Sequence, residues 1–202
     1  MAHEGLWEQL VVLDRHETAR RAKCDYLVDP DRYVVTMLKT DYEVNLAGKE
    51  IISVRPDSPP KPAGFLEQLC ILAYLINARD VPLANKLVRA EALPGGQFFF
   101  RGLHRLPTEK LQEVFGHCPE RLHEVAPQFD AKRCDFGDAS IELTVLPRIP
   151  LTIVVWRADD EFAARASILF DQTADSQLPL DALGAAVNLV VEAIVKAAAE
   201  VN

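Results

Sequence analysis

Apolar side chains recur at helical spacing near the start of the chain, where Leu6, Leu10 and Leu13 share one face with charges between them; this predicts a helix over 4–23. Asp29-Pro30-Asp31 is a turn. The β-branched and aromatic run Arg32–Leu38 then reads as a strand. Tyr42–Leu46 and Glu50–Val54 follow across short turns, so the stretch predicts a small antiparallel meander. Pro56-Asp57-Ser58-Pro59-Pro60-Lys61-Pro62 breaks the pattern, because proline removes amide donors and fixes φ. It reads as a surface loop in preference to an interdomain linker, since the first 55 residues alone bury too little surface to be securely stable.

Helical spacing returns at 63–78, where Phe65, Leu69, Leu72 and Ile76 form a stripe that Leu66, Ala73 and Leu75 widen. A shorter helix is expected near 81–90, a turn at Pro94-Gly95-Gly96, and an extended segment at 97–100. Pro107 suits the first turn of a helix running to Phe115. Ala139–Val145, Leu151–Arg157 and Ser167–Phe170 read as strands, and 181–201 as a long C-terminal helix with Leu183, Val187, Val190 and Ile194 on one stripe. Strands and helices come in blocks. The expected fold is therefore α+β: a mainly antiparallel sheet packed against helices in a single domain over 1–202, with a helix–meander subdomain at 1–55 and a proline-rich connection at 56–62.

Of 202 residues, 49% are hydrophobic and 26% charged, which suffices for a core. The formal net charge of −8 argues against a nucleic-acid footprint, which needs a basic face. No apolar run approaches the roughly 18 residues of a membrane span, so no membrane association is expected. Met1-Ala2-His3-Glu4 carries no secretory signal pattern, so a cytoplasmic protein is expected. Cys24, Cys70, Cys118 and Cys134 form no C-x-x-C pair and are expected to be free thiols. His117-Cys118-Pro119-Glu120-Arg121-Leu122-His123 matches no standard zinc spacing, and no metal is expected. The nucleophile elbow, the Walker A loop, the H-E-x-x-H helix and the complete dinucleotide fingerprint are all missing.

Three clusters join polar groups to backbone punctuation. In Phe99-Phe100-Arg101-Gly102-Leu103-His104-Arg105, Gly102 lets the chain bend, Arg101 can clamp an anion and His104 can act as ligand or acid–base group. In Leu146-Pro147-Arg148-Ile149-Pro150, two prolines stiffen the backbone around Arg148. In Trp156-Arg157-Ala158-Asp159-Asp160-Glu161-Phe162, three carboxylates offer oxygen ligands or an acid–base pair, Trp156 offers an aromatic wall, and Asp171 is a further partner. Each has a structural alternative: a turn leaving a buried strand, an arginine paired with an internal carboxylate, and a solvated acidic turn.

These same segments, with Gly95-Gly96-Gln97-Phe98-Phe99-Phe100, Phe136-Gly137-Asp138-Ala139-Ser140 and Ile168-Leu169-Phe170-Asp171, resemble an uncharacterised prokaryotic family defined only as a domain of unknown function. The resemblance covers about residues 62–200, and Ala163 stands where the family pattern runs on into proline. Family members are frequent in anaerobes, and some carry an iron–sulfur domain of the kind found in corrinoid proteins. The resemblance thus implies a tetrapyrrole ligand and an iron–sulfur protein partner. The expected function is a ligand- or cofactor-binding protein using Arg101, His104, Arg148, Trp156, Asp159, Asp160, Glu161 and Asp171, with Arg101, His104, Arg148 and the Asp159–Glu161 turn converging on one pocket. The alternatives are an enzyme built on Asp159–Glu161 and a protein-interaction module without a small-molecule site.

Overall fold

A computed structural model describes residues 3–56 and 58–201. Met1 and Ala2 of the N-terminal reading, and Asp57 of the proline-rich connection, lie outside the described residues. The chain opens with α1 (Glu4–Val11) and α2 (Arg15–Ala22), where one helix was expected. The break is chemical: Asp14 leaves helical geometry and its carboxylate accepts the Glu17 amide at 2.8 Å, which starts a new helix. Trp7 and Leu10 of α1 are buried, whereas Leu13 falls in the break.

The first sheet is the expected meander with one strand added at each edge. Its order is β1 (Asp25–Leu27), β2 (Arg32–Met37), β3 (Thr40–Asn45), β4 (Glu50–Arg55) and β5 (Ser58–Pro62), all antiparallel. The proline-rich segment expected as a loop is thus largely a strand. It sits at the sheet edge with every residue exposed, where a missing amide breaks no ladder on the open side. Its prolines also blunt an edge that would otherwise template further strands.

α3 (Phe65–Asn77) matches the expected helix, and the Glu67 carboxylate caps it by accepting the Gly64 amide at 2.6 Å. The helix expected at 81–90 does not form. Asn85 is left-handed, the Ala84 amide is taken by Asp171, and Leu87–Arg89 becomes β6 on the edge of a second sheet. Pairing with a distant strand here overrides a weak local pattern. The segment expected extended at 97–100 is instead a short helix, α4 (Gly96–Phe99), followed by α5 (Thr108–Phe115) and α6 (Arg121–Val125).

The second sheet runs β6–β10–β9–β8–β7, with β7 at Lys132–Cys134, β8 at Ala139–Leu146, β9 at Ile149–Trp156 and β10 at Arg165–Asp171. α7 (Ala174–Gln177) leads into α8 (Leu180–Glu200). The fold is α+β, with two antiparallel sheets and a long C-terminal helix.

α8 packs on α3, α5 and α6, and the buried side chains of both sheets and these helices form one continuous cluster. The sheets also meet directly: the Leu38 amide in the β2–β3 turn donates to the Val145 carbonyl of β8 at 3.0 Å. α8 is long and apolar enough to cross a membrane by length and composition only, where no such segment was expected, and 56% of its most apolar window is buried inside the protein.

Candidate functional site

The expected single pocket does not assemble. Arg148 occupies the two-residue turn of the β8–β9 hairpin and is only 5% exposed. Its Nε donates to the Arg21 carbonyl at 2.5 Å, Nη1 to the Val81 carbonyl at 3.1 Å and Nη2 to Asp80 at 2.5 Å. Arg148 therefore ties the end of α2 and the segment after α3 to the hairpin. Asp80 also receives Arg20, and these two arginines, Arg148 first, hold its carboxyl below the usual range. Three of its five N–H donors thus rest on protein acceptors in a buried setting, which suits a structural clamp.

The acidic turn is likewise occupied with its own architecture. Asp159 Oδ1 accepts the amides of Glu161 and Phe162 at 2.9 and 2.7 Å, closing a side-chain-capped turn. Asp160 and Glu161 point into solvent. Trp156 is half-buried at the end of β9 with the Arg165 guanidinium 5.2 Å from its ring centroid. Asp171 is 3% exposed at the end of β10. Its Oδ1 accepts the Ala84 amide at 3.0 Å, the Thr173 amide at 3.0 Å and the Thr173 hydroxyl at 2.6 Å. Burial pushes this carboxyl up, but the Thr173 hydroxyl and the amides of Thr173, Ala84 and Asn85 outweigh it and hold the carboxyl below its ordinary value.

The glycines of the resemblance are packing devices. A Cβ on Gly96 would meet the Ala90 carbonyl oxygen at 1.9 Å. One on Gly137, whose φ is +59°, would meet the Val155 oxygen at 2.7 Å. Asp138 beside it accepts the Arg157 amide at 2.7 Å. Most of the shared segments thus build the second sheet and its crossings.

One predicted residue, Arg101, faces a cleft. Arg101 lines a cleft of about 550 Å³ with Arg89, Arg105, Glu91, Leu106 and Thr108, floored by Ala166 and Ile168 of β10. The β6–β10 ladder brings Arg89 there, and the loop between α4 and α5 brings Arg101 and Arg105. Neither Arg89 nor Arg101 meets an anionic partner among the described residues, and Arg105 reaches Glu109 only at 3.8 Å across an exposed pair. Three guanidinium groups and one carboxylate, Glu91, thus line one hollow, a local excess of positive charge on an otherwise acidic protein.

His104 is displaced from this cleft and stacks on Phe99 at 4.6 Å, outside the cleft lining. The acidic turn is more remote. α5 begins at the cleft with Thr108, and the Gly116 carbonyl at its far end accepts the Ala158 amide. The eight residues of α5 put about 12 Å between these points. No sequence signal singles out Arg89, and Arg105 closes the Arg101 segment without a pattern of its own. A basic residue closing a short apolar run is too common a pattern to single out Arg89.

The four cysteines are unpaired, and burial pushes the Cys24 and Cys70 thiols up to about 12. Among the described residues no three His, Cys, Asp or Glu side chains gather as metal ligands. No curated protein and no solved structure matches the chain. A family model does, over residues 14–193, and so takes in the first sheet that the resemblance at 62–200 left out. Through that match the chain belongs to the family described as a domain of unknown function, DUF3786.

Proposed function

We propose that this protein binds a small polyanion in the cleft of Arg89, Arg101 and Arg105. The observation that carries the reading is the set of three guanidinium groups around one hollow, two of them without an anionic partner among the described residues. Guanidinium forks grip carboxylate and phosphate oxygens in pairs, which suits a ligand with several such groups. The floor of Ala166 and Ile168, with Leu106 beside it, offers an apolar face to the rest of the molecule. A tetrapyrrole with carboxylate arms combines a flat apolar body with peripheral anions, and is the ligand class implied by the resemblance. The cytoplasm of an anaerobe is the corresponding setting, and four free thiols suit a reducing compartment.

The test is a titration of the whole chain with citrate and, separately, with coproporphyrin, a tetracarboxylate porphyrin. Saturable binding should fall roughly ten- to hundredfold when Arg101 and Arg105 are both replaced by alanine, with an unchanged melting temperature. Citrate binding without porphyrin binding would keep the polyanion site and remove the tetrapyrrole. If neither probe binds, or affinity survives loss of all three arginines, the reading is wrong.

A second reading, a protein-interaction module, draws on Phe98 and Leu103, two exposed apolar side chains on the segment that carries Arg101. An iron–sulfur protein is the partner the resemblance implies. The enzyme reading draws nothing from the cleft, because Asp159–Glu161 lie at the far end of α5.

A further inference from the structure

Between the first sheet, α3 and α8 a second cavity carries charges of both signs that do not meet. Arg55, Thr40, Tyr42 and Glu67 line a hollow of about 160 Å³ whose apolar wall includes Phe129 and Leu189. It adjoins an outer cleft of about 250 Å³ that shares Tyr42, Arg55 and Glu67. At other places on the protein opposite charges close into pairs, as in Arg32–Glu43 and Lys39–Asp130. Here each is tethered by a neutral partner instead. Arg55 Nε donates to the Thr40 hydroxyl at 3.1 Å, which leaves both of its terminal nitrogens without a protein acceptor among the described residues. Glu67 accepts the Tyr42 hydroxyl at 2.6 Å on one oxygen and the Gly64 amide at 2.6 Å on the other. Each carboxylate oxygen retains a further lone pair, and the Thr40 hydroxyl retains its proton to donate.

We propose that this cavity is a site for a small zwitterion with an apolar tail, of which a free apolar α-amino acid is the type. The ligand carboxylate lies on the two terminal nitrogens of Arg55 and on the Thr40 hydroxyl. The ammonium lies on Glu67, and the side chain packs against Phe129 and Leu189. Because Thr40, Tyr42 and the helix cap already hold the charged groups in place, little side-chain freedom is lost on binding. The small volume excludes nucleotides and tetrapyrroles, and the opposed charges disfavour a simple anion or a simple amine. This site shares no lining residue with the Arg101 cleft and stands independently of the function proposed for it.

The experiment is a titration of the isotopically labelled whole chain with L-leucine, followed by amide and methyl NMR shifts. Saturable shifts are expected at Thr40, Phe129, Leu189 and Ala193. Acetate and isobutylamine, which each carry half of the recognition pattern, should bind far more weakly. Arg55→Gln and Glu67→Gln should each weaken L-leucine roughly ten- to hundredfold. Glutamine at 67 retains an oxygen for the Gly64 amide, so the helix cap persists. Absence of saturable shifts at these residues with L-leucine overturns the proposal, as does equal affinity in the wild type and both variants. Should a variant fail to fold, the wild type decides alone: L-leucine binding no tighter than acetate or isobutylamine overturns it.

Discussion

The two sheets of this protein have five strands each and the same antiparallel pairing, yet they are closed in different ways. In the first, each strand pairs with its neighbour in sequence, from β1 to β5. In the second, β6 joins the last strand, β10, with Leu87 opposite Asp171, so that ladder joins segments far apart in the chain. Short turns suffice for the first sheet. The second needs long-range anchors, and three of the segments that looked chemical supply them: the Arg148 hairpin, the Asp138 contact to Arg157 and the Asp171 bracket. A polar residue in a stiff, glycine- or proline-rich segment has thus more often been recruited to close the sheet than to face a ligand. The cationic cleft lies where that closure occurs, against β6 and β10, and gathers residues that the sequence keeps apart.

The sharpest test of this contrast compares one residue type in both sheets. Ile153 is fully buried in β9, the central strand of the second sheet, whereas Ile52 in β4 is half-buried and next to the proline edge. Ile153→Ala should cost about 2–5 kcal/mol, the usual range for a core isoleucine, and Ile52→Ala well below that. Urea unfolding measures both. Equal losses would mean that the first sheet is as tightly embedded as the second.

What was legible follows the same division. Strands β2, β3 and β4, helices α3 and α8, and the β8–β9 pair stood out because their apolar spacing is set by local burial. The missed elements depend on partners far away in sequence. β6 exists because β10 offers it a ladder, and α4 because Gly96 lets it sit against the Ala90 carbonyl. The split between α1 and α2 was in principle readable, since Asp14 followed three residues later by Glu17 is a start signal within an apparent helix. Of the eight candidate site residues, only Arg101 lines the cationic cleft, because residue chemistry alone does not distinguish a side chain aimed at solvent from one already bonded to carbonyls.

A second comparison sets the two arginines against each other. Arg148→Ala removes the buried clamp and leaves the Arg21 and Val81 carbonyls without a donor, at a cost of about 2–4 kcal/mol. Lysine should not restore it, because a single ammonium cannot serve three acceptors held in a planar fan. Arg101→Ala, an exposed change, should lie within about 0.5 kcal/mol of the wild type. The measurement is again the denaturation midpoint. A near-native Arg148→Ala would return that residue to the list of ligand groups.

A smaller loss than that of the Arg148 clamp is expected in the bracket that pins the second sheet's far edge. Asp171 binds the Ala84 amide from the segment leading into β6 and the amide and hydroxyl of Thr173 beyond β10. These bonds favour the ionised carboxyl, so its value in the folded protein lies below the ordinary 3.8. The sign follows directly: the stabilisation is fully present above the unfolded value and is lost as pH falls through the lower, folded one. Asp171→Asn keeps the shape and one acceptor but removes the charge. At neutral pH it should lose about 1–3 kcal/mol, in the range for hydrogen bonds to a charged group. Below about pH 4 the wild type should lose its advantage, and the two stability curves should converge as the wild-type carboxyl becomes protonated. Stability profiles from urea melts across the acid range read this out. Curves that stay parallel through the acid range would show that the sheet's closing edge is held by its backbone ladder and packing without the Asp171 charge, and that in this respect it resembles the first sheet more than the bonding of Asp171 suggests.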